Sequence, residues 1–230
     1  MISTVSDARN EISKQAQLLD LARKRQLTTW EGYRNVGFYH QGRYECDFVS
    51  PYTKAANNVD SPIMIMLQDW ASDEFLDGDF CDVTCEFGHT PTRQTNKNLK
   101  RLISEHFRIS ISETYATNLF PFIKPKDMSA SIPTRDLVRA ANEFALPQIR
   151  ILAPRLVIAL GLDCFNSIRR TQELKRSRLT ADAIADPITV YGSRVWCQAH
   201  TSQRGQNNRG GLKQVSIDWQ AMSDWFHRGL

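Results

Sequence analysis

Four short runs of β-forming residues, Ile63 to Leu67, Thr114 to Thr117, Leu156 to Leu160 and Val195 to Ala199, are separated by segments whose apolar residues recur at helical spacing. Runs this short fit strands buried on both faces. Between them, Leu99, Leu102, Ile103 and Phe107 follow a possible Thr95 cap, and Leu137, Val138, Ala141, Phe144 and Ala145 follow Thr134. Both sets are spaced as one face of a helix. Strands alternating with helices favour a mostly parallel sheet, because a right-handed crossover helix is the usual link between parallel strands. The expected fold is therefore α/β, a three-layer α/β/α domain with a mostly parallel central sheet. Ala8, Ile12, Ala16, Leu19 and Ala22 near the start, and Trp219, Met222, Trp225 and Phe226 at the finish, read as apolar faces of packed helices.

At 230 residues the chain matches a single domain by length, at roughly 150 residues each, and can bury a full core without metal or disulfide support. We expect one domain over 1–230, with 1–60 as a helical and irregular extension. No apolar run exceeds about five residues, too short to span a bilayer, and Met1 to Lys14 lacks a secretory layout. No membrane contact and a cytoplasmic location are expected. Five cysteines at irregular spacing suit free thiols in a reducing compartment. Cys81 and Cys85 lack a matching second pair, so no metal and no cofactor is expected. The net charge of +4 is unevenly spread. Leu67 to Thr92 holds seven acidic residues and no Lys or Arg, whereas Gly161 to Leu230 holds ten basic residues against six acidic. A basic face compatible with nucleic acid follows. Nothing in the chain asks for an obligate protein partner, and a monomer is expected.

In an open parallel sheet, ligands bind beyond the carboxyl ends of the strands. After the first run come Gln68, Asp69, Trp70 and Ala71; after the second, Asn118; after the third, Gly161; after the fourth, His200, Thr201 and Ser202. An Asp, an Asn and a His at three strand ends would converge on one crevice. These segments, from Ile63 to Gly211, resemble the uracil-DNA glycosylase superfamily. Leu67-Gln68-Asp69-Trp70-Ala71-Ser72 is similar to its water-activating loop, and Tyr115-Ala116-Thr117-Asn118 to the strand that ends in a base-reading Asn. Pro154 to Gly161 resembles the strand leading into a phosphate-gripping glycine loop, and His200-Thr201-Ser202-Gln203-Arg204 the segment carrying a catalytic His and a wedge residue.

The resemblance implies a DNA glycosylase that flips a nucleotide out of DNA and hydrolyses its N-glycosidic bond. That reaction builds positive charge on the sugar and negative charge on the departing base. Asp69 would favour the cation and orient water, and His200 would donate a hydrogen bond to the base. Asn118 would read the base edge, with Gln68, Trp70 and Ala71 around it and Phe80 or Phe87 as the stacking aromatic. Gly161, Ser202, Gln203, Arg204 and Arg209 would contact DNA, Arg204 filling the vacated gap. No Lys occupies the motif positions, which implies a monofunctional enzyme leaving an abasic site. Taken singly, the same residues have plainer readings: Asp69 as a turn or cap, His200 as a core histidine, Asn118 and Gly161 as turn residues, and Gln203 to Gly211 as a solvated loop.

One departure bears on the substrate. Where the best-known branch has a Tyr that excludes a C5 methyl group, this chain has Ala71. A roomier pocket is expected, suited to a pyrimidine that is bulky at C5, such as the glucosylated hydroxymethylcytosine of some phage genomes, which implies a role in phage defence. Asp73, Glu74, Asp77, Asp79 and Asp82 would accept hydrogen bonds from sugar hydroxyls. The run is otherwise a solvated loop or a poor calcium loop, since the closing Glu is absent. Two further readings stand beside this one: a uracil or mismatch repair glycosylase, and a catalytically inactive nucleic-acid-binding module.

Overall fold

The computed structural model describes residues 12–228, so the expected helical position Ala8 lies outside the described residues. The fold is a three-layer α/β/α sandwich around a mostly parallel sheet. Its strands are β1 (Ile63–Asp69), β2 (Tyr115–Phe120), β3 (Leu156–Leu160), β4 (Ile188–Val190) and β5 (Ser193–Gln198), in the order β2-β1-β3-β5-β4. All neighbours run parallel except β4, which pairs antiparallel with β5. Strand residues alternate between two cores, as a pleat requires. Met64, Met66, Val157 and Ala159 face one; Ile63, Ile65, Leu67, Leu156, Ile158 and Leu160 face the other.

The first core is covered by α1 (Lys14–Leu27), α5 (Thr134–Ala140), α6 (Leu146–Leu152), α7 (Leu162–Thr171) and α8 (Thr180–Ala185). A π turn, Ala141–Ala145, joins α5 to α6 just ahead of Pro147. Pro147 donates no N–H and crowds the carbonyl four residues back, and a wider turn relieves that clash. The second core is covered by α4 (Gln94–Phe107) and α10 (Leu212–His227). The short helices α2 (Asp73–Asp77), α3 (Asp82–Phe87) and α9 (Gln203–Asn208) lie in the connections after β1 and β5.

Residues expected to form an extension are built into the body. Leu18, Leu21, Trp30 and Val49 join the first core, Tyr52 and Ala56 the second, and Val36, Tyr39 and Tyr44 a third with Ala71, Leu76 and Ile123. The fully buried Arg25 fixes this segment. It grips the Glu45 carboxylate through both terminal nitrogens, at 2.6 and 2.7 Å, and donates to the carbonyls of Cys46 and Phe48 at 3.0 and 2.8 Å.

From β1 the chain goes outward to β2, then crosses back past β1 to β3. That reversal opens a crevice at the carboxyl ends of β1 and β3. Among the described residues no helix is long and apolar enough to cross a membrane.

Candidate active site

A cleft of about 400 Å³ occupies that crevice. Asp69 enters it from the end of β1, Asp163 from the start of α7, and His200 and Arg204 from the chain beyond β5. The structure thus brings together Gln68, Asp69, His200 and Arg204 from the sequence reading. Asp69 is held at both oxygens: Gln68 Nε2 donates to Oδ1 at 3.1 Å, and Lys124 Nζ lies 2.9 Å from Oδ2.

The tautomer of His200 follows from its neighbours. Its Nδ1 accepts the backbone N–H of Ser202 at 3.1 Å and lies 2.9 Å from the Ser202 hydroxyl. A backbone N–H can only donate, so in the neutral ring the proton sits on Nε2. Ser202 also caps α9, its hydroxyl accepting the Gly205 N–H at 3.2 Å. Gly205 is required there: a Cβ would lie 2.2 Å from the His200 carbonyl oxygen. Most of the segment with the plainer reading of a solvated loop is thus a short helix, clamped onto the chain beyond β5.

Burial lowers the His200 pKa from its ordinary 6.5; Asp69 opposes the shift and Lys124 adds to it. Below that lowered value the ring gains a proton that the fold disfavours. The contribution of His200 to stability is therefore full above about pH 6.5 and is lost as pH falls through the folded value. An activity that uses the neutral Nε2–H donor should hold level from pH 8 down past 6.5, then fall. In His200→Gln, whose amide does not titrate, that acid limb should vanish; a pH–rate profile checks this, and an unchanged limb would remove His200 from the reaction.

Several expected site residues lie elsewhere. Asn118 is in register with Leu67, which lines the cleft, but is itself fully buried beneath it. Its Oδ1 accepts the Ser50 hydroxyl at 2.5 Å, and its Nδ2 has no partner. Ala71 packs into the third core, away from the cleft. Trp70 is tied through Nε1 to the Gly88 carbonyl at 2.7 Å, with its ring 5.7 Å from that of Tyr44. Phe80 is sandwiched by the Arg43 guanidinium and the Tyr44 ring, at 3.4 and 4.8 Å, and Phe87 is 44% exposed at the end of α3. Neither lines the cleft. The aromatic that does is Tyr52, whose ring stacks on His89 at 5.0 Å and whose hydroxyl donates to Asn96 at 3.1 Å.

The expected DNA contacts divide similarly. Arg204 and Arg93 are exposed at the mouth of the cleft, and Gln203 is exposed on α9. Arg209 is instead committed to Asp218, at 2.7 and 2.9 Å, which neutralises its charge. The Gly161 N–H is spent on the Gln198 carbonyl at 2.8 Å, so it has no hydrogen to offer a phosphate. In the acidic run, Asp73 is engaged by Tyr39 and Arg34, Asp77 by Arg34, and Asp82 by Arg43. Among the described residues no three acidic, His or Cys side chains are grouped to hold a metal ion.

Beside the cleft lies a second pocket of about 560 Å³, sharing Met128 and Ser129 with it. Its other walls are Ser72, Glu74, Phe75 and Asp127. The Ser72 hydroxyl is buried and has no partner. The extra room in this region lies in that pocket and not at Ala71. No protein-family model and no curated protein matches the sequence.

Proposed function

We propose that this chain is a divergent relative of the uracil-DNA glycosylases that excises a pyrimidine bulky at C5 from DNA and leaves an abasic site. The observation that carries the reading is the pairing, in one cleft at the strand ends, of the Asp69 carboxylate with a half-buried His200 whose Nδ1 is already bonded. Asp69 faces the sugar, where its charge favours the oxocarbenium-like state and its oxygens orient the water that attacks C1′. His200 offers Nε2–H to the base oxygen as negative charge builds there. Arg93 and Arg204 take the flanking phosphates, and Tyr52 offers the ring face for the everted base.

One feature supports a base bulky at C5 over uracil. The second pocket adjoins the cleft and offers the Glu74 carboxylate and the Phe75 ring, groups that hold a neutral sugar. A glucosylated hydroxymethylcytosine fits that feature, and a part in phage defence follows from that substrate.

The test is a panel of oligonucleotides bearing uracil, a thymine mismatch, hydroxymethylcytosine or its glucosylated form, scored for abasic sites. Excision should rise with the C5 substituent, and product from uracil alone would overturn the assignment. In Glu74→Gln, which leaves the Phe75 ring beneath Arg93 in place, kcat/KM on the glucosylated base should fall roughly 10-fold, the worth of a lost contact or two, with little change on the unglucosylated base. Equal losses on both would mean that the second pocket does not hold the substituent.

A further inference from the structure

We propose that Lys124 gives the cleft a second activity, strand cleavage at abasic sites through an imine. The inference rests on the reading above in one respect, that Asp69 faces C1′ of the nucleotide. Lys124 is an amine that the sequence motifs do not include, yet it lines the cleft, with its side chain only 5% exposed. Its Nζ lies 2.9 Å from Asp69 Oδ2 and donates to the Met128 carbonyl at 2.6 Å, which leaves one of its three hydrogens uncommitted. The other cations at the cleft, Arg93 and Arg204, are guanidinium groups that keep their protons and are not nucleophiles.

The placement is costly for base excision alone. A positive charge bonded to the carboxylate that must favour a cationic sugar works against that carboxylate. A step that follows excision gives it a use. The abasic product carries an aldehyde at C1′ in its ring-opened form, facing the carboxylate to which the amine is bonded. Asp69 accepts one proton from the ammonium, and the freed nitrogen lone pair forms a bond to C1′. The carbonyl oxygen takes that proton and a second from nitrogen and leaves as water, giving a protonated imine. Asp69 then removes a proton from C2′, the C3′–O bond breaks, and the downstream strand departs with a 5′-phosphate. Water hydrolyses the unsaturated imine and returns the amine. The C2′ proton passes from Asp69 to solvent, which restores the carboxylate, and no oxidant or reductant enters.

The full chain should be incubated with an oligonucleotide carrying a pre-formed aldehydic abasic site, with and without sodium borohydride. With borohydride the imine becomes a stable amine, so a covalent protein–DNA adduct is expected, mapped to Lys124 by peptide mass spectrometry. Without it, strand cleavage should exceed that of Lys124→Arg at least 10-fold, because arginine keeps the charge and the donors but not the nucleophile. A tetrahydrofuran analogue, which has no aldehyde, should give no adduct. Should the variant not fold, mapping on the unaltered protein decides. No adduct, or an adduct only at other amines, overturns the proposal. A pre-formed abasic site bypasses base excision, so the two readings fail separately. Trapping at Lys124 without release of any base would sink the glycosylase reading alone, whereas base release without trapping would sink this one.

Discussion

Asp69→Asn should lower base excision by about 10²- to 10⁴-fold, the range for loss of a positioned acid–base group or a preorganised charge. The substitution keeps the side-chain shape and an oxygen for Gln68 or Lys124, so the loss reports charge more than geometry. It also leaves Lys124, 5% exposed, facing a neutral amide. Removing one member of a buried ion pair is strongly destabilising, because the other charge stays desolvated and uncompensated. The variant should therefore melt earlier than the unaltered protein, and rates must be normalised to folded material. Asp69→Asn/Lys124→Met should recover part of the melting temperature without recovering activity. Single-turnover excision and thermal melts on the same samples check both halves. Unaltered turnover in Asp69→Asn would remove the carboxylate from the mechanism.

The second large effect is one of stability. Arg25→Met should destabilise the fold by about 3–5 kcal/mol, the cost of unpairing a buried charge. Arg25 is fully buried, and its loss strands the Glu45 carboxylate and the carbonyls of Cys46 and Phe48. For a domain of this size about 2–4 °C is lost per kcal/mol, so the melting temperature should fall by roughly 10 °C. Arg25→Lys should rescue little, because one ammonium cannot replace a fork that meets both carboxylate oxygens and two carbonyls. The consequence reaches the cleft, since the segment that Arg25 anchors continues to Ser50 and Tyr52, the partner of Asn118 and the aromatic of the cleft wall. Calorimetry on both variants tests this; a change below about 1 kcal/mol would show that the network is dispensable.

How much of this was legible in the sequence depended on whether the signal was local. The four strands that carry the parallel sheet announced themselves, because a strand buried on both faces is a continuous apolar run. The edge strand β4 did not. It is three residues long, and its turn to β5 uses Tyr191 and Gly192, both at positive φ. A tyrosine in that conformation hides the usual Asn-Gly hairpin signature. The helix α9 was read as a loop because Gly205 looks like a breaker, when what it provides is room for the His200 carbonyl.

For the site, residues at strand ends were legible and those brought in by topology were not. Asp69 and His200 each follow an apolar run, so the rule for parallel sheets finds them. Lys124 lies past Pro121, in a segment whose bridge to Ser72 is visible only once β1 and β2 are known to be neighbours. Tyr52 comes from a stretch with no regular period, and it is held at the cleft by Ser50 and Asn96, which are distant or irregularly placed in sequence. Arg209 was read as a free cation because sequence spacing does not reveal a bidentate partner nine residues away.

The central claim, that Asp69 and His200 act on one everted, bulky nucleoside, meets its most direct test in a count of aldehyde-reactive sites. Bulk phage DNA carrying glucosylated hydroxymethylcytosine would be incubated with the unaltered protein, Asp69→Asn and His200→Ala, beside unmodified DNA. The account predicts abasic sites accumulating in the glucosylated DNA with the unaltered protein only. Equal counts across the three proteins, or none on the glucosylated DNA while the protein still binds it, would contradict it.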